Sequence, residues 1–95
     1  MKDFVKRMIE EHKELNARII KLSNFINSKA AEEIHRVEYA NLALQLSYMQ
    51  KYSEILTVRL SNQNVEFVDG EYFEHINVDE TPNKDEKRNP ANKEA

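Results

Sequence analysis

Residues 1–28, MKDFVKRMIEEHKELNARIIKLSNFINS, hold the pattern that decides the fold. Met1, Val5, Met8, His12, Leu15, Ile19, Leu22 and Ile26 recur at alternating steps of four and three. Such a seam predicts an amphipathic helix of coiled-coil type. Phe4, Ile9, Ile20 and Phe25 lie beside the seam and widen it. No Gly or Pro interrupts the stretch, and Asn27-Ser28, both weak helix formers, read as its stop. His12 is the one polar member. The ordinary reading of such a residue is a hydrogen-bonded core position that sets register; contact with a ligand is the sharper alternative.

Working outward, residues 29–35 (KAAEEIH) read as a short connection or a single helical turn, and a second helix follows from about Arg36 to Ser61. Its main stripe is Leu42, Gln45, Met49, Tyr52 and Leu56. A second stripe, Val37, Leu44, Tyr48, Ile55 and Val58, lies beside it, with Leu46 and Leu60 on the other flank. A short link makes neighbouring helices run back on each other, so the predicted unit is an antiparallel helical hairpin. A folded body of about 60 residues covers only about 60% of its unfolded surface and is marginal alone. These helices carry apolar groups over more than one stripe each. The all-α hairpin is therefore expected to be the protomer of a compact homo-oligomer rather than the finished fold.

Beyond Asn62, residues 65–76 (VEFVDGEYFEHI) place Asp69-Gly70 between two short β-prone runs, the strongest local hairpin signal. Gly70 is the only glycine of the chain. An isolated hairpin is marginal in water, so this one is expected to lie on the helical body. The last stretch, VDETPNKDEKRNPANKEA, is polar and holds both prolines. It is expected to be disordered. The chain thus divides into residues 1–62, a helical hairpin for assembly and ligand binding, residues 63–77, a short hairpin or extended segment packed on the body, and residues 78–95, an acidic tail.

Composition narrows the function classes. Ninety-five residues make one small domain, and the absence of cysteine removes disulfides and thiolate metal sites. No apolar run approaches the roughly 20 residues that cross a bilayer, and the N-terminus is too charged for a signal peptide. A soluble cytosolic protein without a membrane partner is expected. Residues 1–62 carry ten Lys/Arg and eight Asp/Glu, residues 63–95 four and nine, together the 14 and 17 of the chain. A mildly basic body with an acidic tail lacks the dense cationic stripe that long nucleic acid demands, yet leaves room for a small anion bound locally. Glu32 and His35 have the E-x-x-H spacing of di-iron bundles, but that site needs two such motifs and two more carboxylates. No nucleophile elbow, catalytic cysteine or phosphate-cradling glycine loop occurs. The expectation is a protein that is not an enzyme and takes no metal or other cofactor.

The cations of the first helix stand out. Lys6 and Arg7 come early and Arg18 and Lys21 later; no acid follows Glu14 until Glu32. Charged helix faces are usually solvated, and Glu10, Lys13 and Glu14 look so, with opposite signs three and four apart. Arg18 can reach Glu14, but Lys21 has no acid at either spacing. In a continuous helix Lys6 and Lys21 stand about 22 Å apart at 1.5 Å per residue. A small nucleotide cannot touch both on one chain. In an antiparallel oligomer the early turns of one first helix can meet the later turns of another.

These residues carry a resemblance. Arg7, Met8, Glu11, Glu14 and Leu15, then Lys21, Leu22, Phe25, Ile26 and Ser28, then Leu42, Gln45, Met49, Tyr52, Leu56, Arg59 and Leu60 follow a running signature. It is R-V-x-x-E-x-x-E-L, K-L-x-x-F-I-x-S and L-x-x-Q-x-x-x-M-x-x-Y-x-x-x-L-x-x-R-[IL]. Over roughly residues 4–61 the chain resembles the phage anti-CBASS cyclic-oligonucleotide sponges, which share their helical hairpin with the anti-Thoeris sponges. The resemblance implies a hexamer in the cytoplasm of an infected bacterial host. It implies that cyclic dinucleotides, such as 3′,3′-cyclic GMP–AMP, are held uncleaved in pockets shared between protomers, and cyclic trinucleotides in separate pockets on the oligomer axis. A contacting lysine maps onto Lys21 and a hydroxyl residue onto Ser23. The base-stacking aromatic of the family falls on Lys6, with Phe4 nearby, so a cation stands where relatives carry a ring. Lys21, Ser23, Lys6, Arg7, Phe4 and Arg18 are thus the candidate ligand-binding residues. The alternative reading is a small helical interaction protein that inhibits or scaffolds a protein partner; a messenger-degrading enzyme ranks third.

Overall fold

The computed structural model describes residues 1–75. Two helices, α1 (Asp3–Ile26) and α2 (Arg36–Asn62), flank a short 3-10 turn at Lys29–Glu33. A two-stranded antiparallel sheet, β1 (Val65–Val68) and β2 (Glu71–Glu74), follows. This is the helical hairpin with a small β-hairpin that the sequence predicts. The expectation of disorder over residues 78–95 lies outside the described residues.

Local chemistry sets each boundary. At the end of α1 the Asn27 side-chain amide donates to the Ser23 carbonyl at 3.0 Å and the Ser28 hydroxyl to the Phe25 carbonyl at 2.6 Å, so carbonyls of the last turn are satisfied. At the start of α2, His35 Nδ1 accepts from the Val37 N–H at 3.1 Å. The imidazole therefore serves as an N-cap in place of the usual Ser or Asp, a structural task for the histidine of the E-x-x-H pair. Asn64 then adopts a left-handed φ of 64° and donates its N–H to the Ser61 carbonyl at 2.9 Å, which ends α2 and turns the chain into β1. Asp69 and Gly70 both have positive φ, 53° and 83°, the backbone of a two-residue hairpin turn, and Val68 pairs with Glu71 across it.

The core lies at one end of the molecule. Val5, Met8 and Leu15 of α1 pack with Leu56 and Leu60 of α2 and Val65 of β1. The α1 seam is borne out from Val5 to Leu15, all buried, and continues half-buried through Ile19, Leu22 and Ile26; Met1 is exposed. The α2 stripe needs correcting. Gln45 and Tyr52 are exposed, while Leu46, Ser53, Thr57 and Leu60 turn inward. The inward face is rotated by about half a residue step, and its cause is His12.

His12 is 1% exposed and surrounded by polar partners from two other elements, α2 and β2. Its Nδ1 lies 2.6 Å from the Tyr72 hydroxyl, and its Nε2 lies 3.3 Å from Ser53 Oγ and 3.1 Å from Thr57 Oγ1. Ser53 donates its proton to Asn16 Oδ1 at 2.8 Å, and Thr57 donates to the Ser53 carbonyl at 3.0 Å. Both hydroxyls can then only accept from the ring, so Nε2 carries the hydrogen and Nδ1 accepts from Tyr72. Phe67 and Tyr72 meet the imidazole edge-on at centroid distances of 4.8 and 5.6 Å. This is the register-setting core histidine of the ordinary reading. It ties the β-hairpin to both helices.

Candidate functional site

Among the described residues, two surfaces of the hairpin are left uncovered, and Phe4, Arg7, Arg18 and Lys21 of the candidate residues lie on one of them. Among the described residues, ion pairs are confined to Lys13–Glu10 at 3.7 Å and His75–Glu66 at 2.7 Å. Lys13 is further engaged by the Tyr72 ring, whose centroid lies 5.8 Å from its Nζ. Lys6, Arg7, Arg18 and Lys21 are exposed, and none has an acid partner among the described residues. Arg18 does not take up Glu14, the one pairing open to it by spacing.

Helix geometry sorts these residues. At 100° per residue, Phe4, Arg7, Arg18 and Lys21 fall on one face of α1. Lys6 stands to one side of it. Ser23, half-buried, lies two residues from Lys21 and so on nearly the opposite side of the helix. A single chain therefore gathers Arg7, Arg18 and Lys21 along a stripe and does not bring Ser23 to them. Arg7 and Lys21 are about 21 Å apart along the axis. A molecule of cyclic-dinucleotide size cannot span that distance.

The second surface is apolar and belongs to α2. Val37, Leu44, Tyr48, Ile55 and Val58 are 53–64% exposed, at the steps of seven, four, seven and three that keep them on one face. That face points away from α1, on the far side of the inward residues Leu46, Ser53, Leu56 and Leu60. Beside it runs a shallow groove lined by Asn41, Leu44, Gln45, Tyr48, Met49 and Tyr52. Among the described residues, seven apolar side chains are buried and twelve large ones exposed. Scattered exposed apolar residues are ordinary, but a continuous strip along one helix marks an interaction surface. Sequence reading named these residues as a second stripe; what it missed was that this stripe and the inward one lie on nearly opposite faces of α2.

Among the described residues no helix is long and apolar enough to cross a membrane. A family model described as Sequestin matches residues 2–62. That span ends where α2 ends and leaves the β-hairpin outside it. No curated protein and no solved structure matches the chain.

Proposed function

The chain belongs to the Sequestin family, the anti-CBASS and anti-Thoeris cyclic-nucleotide sponges of phages, and from that premise we propose that it sequesters cyclic di- and trinucleotide second messengers, such as 3′,3′-cyclic GMP–AMP, without cleaving them. It does so as a homo-oligomer, a hexamer by its family likeness, in the cytoplasm of the infected host, so that CBASS effectors are never activated. The observation that carries the proposal is the row of cations on α1, Arg7, Arg18 and Lys21, which have no acid partner among the described residues and lie within the matched span. Cyclic dinucleotides carry two phosphodiesters, and Lys21 of one chain with Arg7 of a neighbour can pair with them through charge-assisted hydrogen bonds. Phe4 lies on the same face and offers a ring to a base where Lys6 does not; stacking of this kind is worth about 1–3 kcal/mol. Ser23 reaches such a ligand from a different copy than the Lys21 that holds it. Sequestration then follows from mass action, provided the protein is abundant and its Kd lies below the messenger level that triggers the effector.

The exposed strip on α2 supports the oligomer. It also favours the second reading, a scaffold or inhibitor of a protein partner, if that strip receives a foreign chain instead of a copy. Incubation with 3′,3′-cyclic GMP–AMP followed by denaturation separates the readings. Intact messenger retained until denaturation is the expected result; linear product would indicate a phosphodiesterase, and no retention of any cyclic di- or trinucleotide would favour the scaffold. Lys21→Ala is expected to weaken dinucleotide binding about tenfold or more, the worth of one charged hydrogen bond, with assembly mass unchanged. Unaltered affinity in calorimetry would remove Lys21 from the site.

A further inference from the structure

The β-hairpin, which lies beyond the matched residues 2–62, builds a cleft against the middle of α1. Its volume is about 470 Å³, within the roughly 300–1,000 Å³ of small-molecule sites. Ala17, Ile19 and Ile20 line it from α1, and Phe67 and Tyr72 line it from the hairpin. The two rings stand 4.8 Å apart between centroids, with planes inclined at 43°. Gly70 lies at the hairpin tip, where an added methyl group would meet no atom of the described residues within 4 Å, so the mouth is open. Apolar groups on one side and aromatic rings on the other make a slot for a flat ring.

The polar groups that line this slot are donors only. Asn16 spends its Oδ1 on the Ser53 hydroxyl at 2.8 Å, which leaves the side-chain NH2 as the free end of the amide. Lys13 Nζ sits 3.7 Å from Glu10, longer than the roughly 2.7–2.9 Å of a full charge-assisted bond, and 5.8 Å from the Tyr72 centroid. Its ammonium keeps donors for a ligand. Lys13, Ala17 and Lys21 follow at steps of four, so Lys21 stands on the same ridge, about 6 Å past Ala17 along the axis.

We propose that this cleft receives a guanine base. Guanine presents two neighbouring acceptors, O6 and N7, on one edge, whereas adenine presents N7 beside an amino donor. Two donors at Lys13 and Asn16 match the first and set donor against donor in the second. Asn16 cannot read adenine in the usual bidentate way, because that pairing needs the oxygen that Ser53 holds. Next to O6, guanine carries N1–H and a 2-amino group, both donors. Asp69 and Glu71, exposed on either side of Gly70, bring carboxylates to the mouth that suit them. The proposal rests on the cyclic-nucleotide reading above and gives it a base preference; with the base in the slot, the adjoining phosphodiester can reach Lys21 on the same ridge.

Calorimetry on the full-length protein tests the preference with guanosine and adenosine 5′-monophosphates, then with 3′,3′-cyclic di-GMP and 3′,3′-cyclic di-AMP. In each pair the guanine compound should bind about tenfold tighter or more. Asn16→Asp keeps an acceptor for Ser53 and replaces the free amide donor by a carboxylate. It should weaken the guanine compounds about tenfold and erase the preference. Ala17→Trp, at an exposed position, should fill the slot with the same result, while circular dichroism and assembly mass stay those of the parent. Equal affinity for the two bases, or a preference that survives both substitutions, would overturn the assignment. Cyclic dinucleotides held without regard to base would strike the cleft and leave the sponge reading standing. A guanosine monophosphate preference in a protein that holds no cyclic dinucleotide would do the reverse.

Discussion

Tyr48→Asp should break the assembly into smaller species while each hairpin stays folded. The phenol is 64% exposed and touches none of the buried core, so the substitution leaves the intrachain packing of Val5, Met8, Leu15, Leu56 and Leu60 intact. In an assembly that buries the outward face of α2, however, the same position becomes central. An aspartate there loses a large aromatic contact and must be desolvated among Leu44, Ile55 and the groove beside Met49. Central interface tyrosines commonly cost about 2 kcal/mol or more on truncation, and an introduced charge costs more. A loss of at least a hundredfold in assembly affinity is expected by sedimentation, with the far-ultraviolet circular dichroism of the parent. A variant that assembles like the parent would mean that the outward strip of α2 faces solvent.

The second large effect concerns His12. His12→Ala should destabilise the hairpin by about 3 kcal/mol or more, because it opens a cavity in the core and removes the partner of three hydroxyls at once. Tyr72 loses the acceptor that holds the β-hairpin down, and Ser53 and Thr57 lose the ring N–H. Denaturant unfolding measures the loss; a change below about 1 kcal/mol would show that the network contributes little. The same residue predicts the pH response. Burial lowers the His12 pKa below its ordinary 6.5, so the unfolded chain binds the extra proton more readily than the folded one. Its contribution is fully present above about pH 6.5 and is lost as pH falls from there toward the folded value, at no more than about 1.4 kcal/mol per pH unit. The Tm should therefore fall on acidification below that point, and His12→Ala should remove this component of the slope.

The contrast between α1 and α2 explains how far the fold could be read beforehand. On α1 the apolar seam is clean, and one polar residue within it announced a buried hydrogen-bonded histidine. On α2 the same method misplaced the inward face, because Ser53 and Thr57 look like surface residues until a buried imidazole 41 and 45 positions away requires their hydroxyls. Tyr72, 60 positions from His12, was equally invisible. Periodicity sees one helix at a time, whereas a polar core is a property of several. Asp69-Gly70 was legible because a two-residue turn needs positive φ at both positions, and few other pairs supply it.

For the candidate site the spacing of residues separated what belongs together. Arg7, Arg18 and Lys21 share a face by number alone, but that Arg18 leaves Glu14 unpaired, so that none of the three has an acid partner among the described residues, needed the structure. Ser23, carried over by resemblance, lies away from Lys21 on a single helix; under the proposed function a second chain brings the two to one ligand.

Native mass measurement of the full-length protein with 3′,3′-cyclic GMP–AMP tests the central claim most directly, since it counts chains and ligands in the same particle. A closed assembly of hairpins, six by the family likeness, carrying intact cyclic nucleotide is the predicted result. A folded monomer with no nucleotide bound would contradict it.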